Sequence, residues 1–318
     1  MKILIYSFFL SLVFPDFLYA HTDYPVIVVS QDGSGDFVTI QEAVNSVRDF
    51  TPVPRVIRVK EGVYREKVEI PSWKCDITLQ GEAPEKTIIC YDDYAALNQM
   101  GTFRTYTLLV CGNRVVLENL TIENRAGRVG QAVALHVEGD RVVVRNCRLL
   151  GNQDTLFTGN ENSRQYYDRC YIEGTTDYIF GPATCWFDRC TLHSKSDSYI
   201  TAASTPKDHP YGYVFYRCDL TASDEVSKVY LGRPWRPYSA VVFWECRMGK
   251  HIRPEGWHNW RNAENEKTAR YMEYNSKGEG VNPCSRVAWS VQLDEKSASL
   301  YIPEQVLGGN WFREIVRR

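Results

Sequence analysis

The chain has 318 residues, 44% of them hydrophobic and 13% aromatic, a composition that builds a large core and excludes a disordered protein. Its formal net charge of −2 disfavours a polyanionic partner, so no nucleic-acid role is expected. Beyond the N-terminus no stretch reaches the ~18 uninterrupted apolar residues of a membrane span, so no membrane role is expected either.

The first twenty residues, "MKILIYSFFLSLVFPDFLYA", carry Lys2, an apolar run from Ile3 to Phe14 and Ala20 before a plausible cut. They read as a secretory signal, although Leu18 departs from the small-residue rule for the cleavage site. A secreted, extracellular protein with one domain over 21–318 is expected, and removing one Lys and one Asp with the signal leaves the net charge unchanged. Next comes "VIVVSQDGSGDFVTIQEAVNSV" (26–47), a strand, a glycine-rich turn and an amphipathic segment whose Ile40, Ala43, Val44 and Val47 share one helical face. Such a helix would cap the open end of a solenoid.

A repeat occupies the middle of the chain. Leu120, Cys147, Cys170, Cys190, Cys218 and Cys246 each follow an apolar residue and one or two polar ones, and lie 27, 23, 20, 28 and 28 residues apart. Units this short, rich in β-branched and aromatic residues, cannot be propeller blades of ~40 residues. They fit an all-β parallel β-helix in which equivalent side chains stack about 4.8 Å apart on successive coils. The cysteines then form an inward ladder of small core residues. In an oxidising compartment Cys170 and Cys190, joined by the shortest coil, are the candidate disulfide, while Cys75, Cys90, Cys111 and Cys284 cannot be paired from spacing. The sequon Asn119-Leu120-Thr121 falls on an expected coil strand, which argues against glycan access. Residues 290–307 read as short helices and loops packing through Leu293, Leu300 and Val306.

Within this register Asp154 lies seven residues after Cys147, Asp177 seven after Cys170, and Asp197 seven after Cys190. Two carboxylates on neighbouring coils cannot both ionise cheaply, which makes one a proton donor and the other a nucleophile. The same spacing suits turn aspartates that bond backbone amides, and three such residues leave the working pair unselected. Asp197, in the polar "SKSDS", reads as the solvated turn residue.

The segments "VSQDGSGDFVTIQEAV" (29–44), "EGVYREKV" (61–68), "GTFRTYTLLV" (101–110), "LTIENRAG" (120–127), "GQAVALHV" (130–137), "GNQDTLF" (151–157), "GTTDYIFG" (174–181), "YLGRPW" (230–235) and "VLGGNWF" (306–312) occur in this order. Together they closely resemble the pectin methylesterases, carbohydrate esterases with a right-handed parallel β-helix fold. The resemblance implies that Asp177 is the nucleophile and Asp154 the general acid and base. Gln153 and Gln131 match the amides that hold the oxyanion, and Arg233 matches the guanidinium paired with the nucleophile. Trp235 matches the sugar-stacking ring, Thr102 a substrate contact, and Phe157 and Phe180 aromatic cleft positions. The implied substrate is methyl-esterified homogalacturonan, handled by a monomer without metal or other cofactor, and a proteinaceous inhibitor is admitted as a partner. Ala203 stands where many relatives carry Gln, Phe157 where Tyr is common, and Tyr178 where Phe is usual. Ala203 and Phe157 lie in motifs expected to face the cleft. The rival readings are a β-helix glycosidase or lyase acting on pectin, and an inactive pectin-binding solenoid.

Overall fold

In the computed structural model, which describes residues 25–316, the sequence Phe187-Asp188-Arg189-Cys190 shows how one coil is made. Phe187 and Cys190 are buried, at 0% and 1% exposure, and Arg189 between them lies at φ 52°, in the left-handed region. That single residue turns the chain from one strand, Thr184–Asp188, into the next, Thr191–Ser194. The same corner recurs at Asn119, Asn146, Arg169, Arg217, Glu245 and Asn275, with φ between 47° and 55°. A non-glycine residue in this region costs roughly 1–2 kcal/mol. Its neighbours hold it there: Arg169, Arg189, Arg217 and Glu245 each donate their backbone N–H to the following coil, at 2.8–2.9 Å.

Stacked corners generate three sheets of eleven, eight and seven strands. The strands within each sheet are parallel, and their order follows the chain coil by coil, as in a parallel β-helix. Inside, Tyr167, Phe187, Phe215 and Phe243 pair in register and stack at centroid distances of 4.5–4.6 Å. Beside them Leu149, Ile172, Leu192, Leu220 and Met248 form a second ladder.

The cysteine ladder is present, and its thiols are free. The expected Cys170–Cys190 disulfide does not form. Four of the five sulfurs face the preceding coil instead: the Cys170, Cys190, Cys218 and Cys246 thiols donate to the carbonyls of Val144, Tyr167, Phe187 and Phe215 at 3.3–3.5 Å. The stack thereby satisfies each S–H group on backbone, and the Cys170 N–H points at the Cys190 sulfur, 3.4 Å away. Asn119 is likewise a corner residue, not a strand residue, and its side-chain oxygen accepts a 2.6 Å hydrogen bond from Asn146.

The helix Ile40–Ser46 forms as its pattern predicts, with Thr39 as N-cap accepting from the Glu42 N–H and donating to the Glu42 carboxylate. Glu66 adds its two oxygens to the N–H groups of Ile40 and Gln41, where a negative charge suits the helix dipole. The buried face packs on the strands Val26–Val29, Arg55–Val59 and Val68–Ile70 and closes that end of the coil. The C-terminal helices Glu295–Ala298, Pro303–Val306 and Trp311–Val316 take a different place. Val306, Leu307, Trp311, Phe312 and Ile315 cluster with the outward residues Val143, Tyr166, Trp186, Val214 and Val242 of the largest sheet. They flank the coil rather than cap it. Val306 is buried and Leu293 half-buried, whereas Leu300 is 53% exposed and does not anchor this segment. The N-terminal twenty residues and their expected signal lie outside the described residues.

Candidate active site

Asp154 and Asp177 belong to the loops that enter the seven-stranded sheet. The strands Leu156–Thr158 and Ile179–Gly181 pair Leu156 with Ile179 and Phe157 with Phe180, so each aspartate sits two residues before equivalent positions on adjacent coils. Both aspartates are in the left-handed region, at φ 68° and 48°, and both are buried, at 7% and 5% exposure. The Asp154 N–H donates to the Thr176 carbonyl and the Asp177 N–H to the Tyr199 carbonyl. The residue equivalent to Asp177 on the next coil is therefore Tyr199, because that coil holds two more residues between its cysteine and the sheet. Asp197 falls out of register. It is exposed, and one oxygen accepts from the N–H groups of Ser227 and Lys228, which holds its carboxyl below the usual range. The turn reading of Asp197 holds.

Arg233 follows the strand Tyr230–Gly232, two coils beyond Asp177, and reaches back across the intervening coil. Its Nε and Nη2 donate to the two Asp177 oxygens at 3.0 and 2.6 Å, a bidentate fork. The guanidinium is clamped between the ring of Tyr199, at 3.9 Å, and that of Trp260, at 3.7 Å. Trp260 and Arg261 are consecutive non-glycine residues at φ 60° and 58°, and the Trp260 N–H is held by His258 Nδ1 at 3.0 Å. The loop carries this strain while placing one ring over the arginine.

The electrostatics separate the two carboxyls. Burial pushes the Asp177 pKa up, and the hydrogen bonds and charge of Arg233 pull against it. The net direction is upward, because burial outweighs the arginine. Asp154 is pushed well above the usual carboxylate range, first by burial and then by the negative charge of Asp177. Both donors of the arginine fork go to Asp177, so Asp154 is the one that retains its proton.

The pair opens into a cleft of about 350 Å³ lined by Thr102, Gln131, Gln153, Phe180, Arg233 and Trp235 among others. Gln131 and Gln153 are backbone bridge partners, and the Ala132 N–H donates to the Gln153 carbonyl at 3.1 Å, so both amide side chains leave one rim. Phe157, 7% exposed, backs the cleft against Phe180, with ring centroids 4.7 Å apart. The structure thus brings every predicted site residue to one place. Ala203 alone departs from expectation: it points into the interior core, and its neighbour Ala202 faces the cleft. Tyr178 also turns inward, its hydroxyl 3.1 Å from Ser194. Sequence reasoning missed Phe103, Trp260 and Tyr199. Phe103 stacks on Phe157 at 4.8 Å and is 48% exposed at the cleft mouth. An aromatic followed by a basic residue in a polar segment, as in "TFR" and "NWR", was the available signal.

A parallel β-helix carrying an arginine-clamped carboxylate beside a second buried carboxyl of raised pKa, at the foot of an aromatic cleft, has the features of a carbohydrate-ester hydrolase. The chain belongs to the pectinesterase family, whose sequence profile matches residues 26–310. It is 40% identical over 288 residues to pectinesterase 31 of Arabidopsis thaliana, covering 87% of this chain and 90% of that protein. The pectin methylesterase of carrot superposes with a TM-score of 0.88 at 30% identity, covering 93% of this chain and 97% of that one. An Asp-to-Ala mutant of a pectin methylesterase in complex with a hexasaccharide superposes with a TM-score of 0.79 at 27% identity, covering 90% and 98%.

Proposed function

We propose that the protein hydrolyses the C6 methyl esters of homogalacturonan, with Asp177 as nucleophile and Asp154 as general acid and base. The bidentate Arg233–Asp177 pair beside the higher-pKa Asp154 carries this reading. Ionised Asp177 attacks the ester carbonyl, and the Gln153 and Gln131 amides donate to the developing oxyanion. As the carbonyl re-forms, the C–OCH3 bond breaks and Asp154 gives its proton to the departing methoxide, releasing methanol. Asp154, now ionised, takes a proton from water. The hydroxide cleaves the Asp177 acyl anhydride, which frees the galacturonic acid and restores both side chains, and the acid then gives its proton to solvent. Phe103, Phe180, Trp235 and Trp260 supply apolar faces for sugar rings, and Thr102 a polar contact.

Stacked adjacent coils, about 4.8 Å apart, hold the carboxyls too close for an inverting glycosidase, which needs roughly 6.5–9.5 Å for its water. An enzyme acting on cell-wall pectin works outside the cell, in agreement with the secretory reading of residues 1–20. The test is methanol release from methylated pectin, measured alongside new reducing ends. Methanol without chain scission is expected, and Asp177→Ala should lower turnover by roughly 10⁴-fold or more while circular dichroism stays unchanged. Substantial turnover by Asp177→Ala would overturn the assignment.

A further inference from the structure

The segment Trp257-His258-Asn259-Trp260-Arg261 contains no glycine, yet Trp260 and Arg261 both adopt left-handed backbone. Such a pair is disfavoured and persists only when its surroundings hold it. Two side chains do so. Asn259 Oδ1 accepts the Arg261 N–H at 2.8 Å, and His258 Nδ1 accepts the Trp260 N–H at 3.0 Å. Each acceptor lies two residues before its donor, as in an Asx turn, and at His258 an imidazole nitrogen takes the place of the carboxamide oxygen. Asn259 does not titrate, whereas His258 does.

His258 is tied to the elements that carry the arginine clamp. Its backbone N–H donates to the Gly232 carbonyl at 3.1 Å, one residue before Arg233. Its ring packs on Tyr199 and Tyr230, with centroids 5.4 and 5.3 Å away. Tyr199 in turn covers one face of the Arg233 guanidinium, and Trp260 covers the other. The charges around the imidazole are those of Arg233, Arg261 and Arg253. Arg253 lies over the Tyr230 ring at 4.7 Å and pairs with Glu255, and behind the loop Glu266 accepts from Asn259 at 2.7 Å. Burial first, and then the three cations, hold the His258 pKa below the 6.5 of a free imidazole. To accept at Nδ1 the ring must be neutral, with its proton on Nε2.

We infer that His258 is a positioning residue for the reaction: through its Nδ1 acceptor it holds Trp260 over Arg233, and through Arg233 it fixes the carboxylate of Asp177. The inference rests on the catalytic reading above. A proton arriving from solvent on Nδ1 replaces the acceptor by an N–H that faces the N–H of Trp260. The left-handed pair then loses one of its two holds, the indole leaves the guanidinium, and Asp177 loses its fixed partner. The site is thereby made sensitive to acid at a group outside the cleft lining.

The experiment is the pH profile of kcat/KM on methylated pectin, with each variant divided by wild type at the same pH so that titrations common to the proteins cancel. His258→Asn supplies a carboxamide oxygen two residues before the Trp260 N–H and cannot titrate. At pH 8 it should keep turnover within about threefold of wild type, and its ratio should rise as pH falls below about 6.5, where wild type alone loses the acceptor. His258→Phe keeps a ring against Tyr199 and Tyr230 and has no acceptor. At pH 8 it should lose roughly fivefold, the order of one hydrogen bond, mostly in kcat, and the gap should close in acid. A merely structural role lowers both variants by a factor that does not change with pH. A flat His258→Asn ratio, a His258→Phe protein equal to wild type at pH 8, or a loss confined to KM overturns this inference while methanol is still released. No methanol from the wild-type protein at any pH overturns the catalytic reading and this inference with it.

Discussion

The corner at the cysteines and the loop at the aspartates use the same backbone device to opposite ends. Both place non-glycine residues in the left-handed region, and both stack them on adjacent coils. At the corner the device repeats from Asn119 to Asn275, always followed by an inward residue and, at four of the five cysteines, by a thiol bonded to the coil before it. At the loop it occurs on two coils, Asp154 and Asp177, and stops where the next coil gains two residues and presents Tyr199. Repetition marks the structural feature, and the break in repetition marks the site. The break also makes room for Arg233, which crosses over Tyr199 to reach Asp177.

If that contrast is right, cutting the loop should affect chemistry and leave the fold alone, while cutting the corner should do the reverse. Below the loss already expected for Asp177→Ala, the largest effect belongs to Gln153→Ala. Removing one oxyanion donor typically lowers kcat by roughly 10²–10³-fold, and KM should change far less, because the oxyanion exists only in the transition state. Steady-state kinetics on methylated pectin check this. A fall in affinity with kcat preserved would make Gln153 a binding residue only.

Much of this contrast was legible in the chain. The spacing of Leu120 and the five cysteines carried the coil, and two matching seven-residue counts carried the carboxylate pair. The count misled in one case, Asp197, because a coil can absorb two extra residues in a loop while its strands keep register through Thr201 and Ala202. Tyr199 was not legible at all, and the local pattern at Trp260 says nothing of its partner. Both meet Arg233 only after the coil brings residues 199, 233 and 260 together, and no local pattern encodes that meeting. The failed Cys170–Cys190 pairing had a similar cause: spacing placed the sulfurs on neighbouring coils, but their hydrogen bonds to backbone appear only in three dimensions. Ala203 shows the reverse limit, since a motif quoted as facing the cleft has alternate residues facing the core.

The corner has its own test. Cys218 is fully buried between coils, with its thiol on the Phe187 carbonyl. Cys218→Leu forces added methylenes into a closed stack, and overpacking of this kind costs about 1–3 kcal/mol. The unfolding free energy from urea melts should fall by that amount and lower the midpoint, while kcat for the folded fraction should match the wild type. A collapse of kcat with an unchanged midpoint would mean that the ladder serves the site and not the fold.

The smallest expected effect is also the one whose sign is least intuitive. Asp154 is buried beside the charge of Asp177, and its pKa in the folded protein stands well above the 3.8 of a free side chain. Below pH 3.8 the carboxyl is protonated in both states, and its ionisation has no bearing on stability. As pH rises above that value, the unfolded chain ionises while the folded one still holds its proton, so stability falls until the folded pKa is passed and stays reduced beyond it. Asp154→Asn cannot titrate at this position. Its stability relative to wild type should therefore be lowest in acid and rise through this window, reaching a gain on the order of 1 kcal/mol, the scale of a poorly compensated buried polar group. Urea melts of both proteins at pH 3.5 and pH 8 measure the difference of differences, which cancels whatever the amide itself costs in the pocket. A relative stability that declines with pH would mean that Asp154 is held ionised. Asp177 and Asp154 would then have to exchange their proposed states, with the arginine-paired carboxyl keeping the proton.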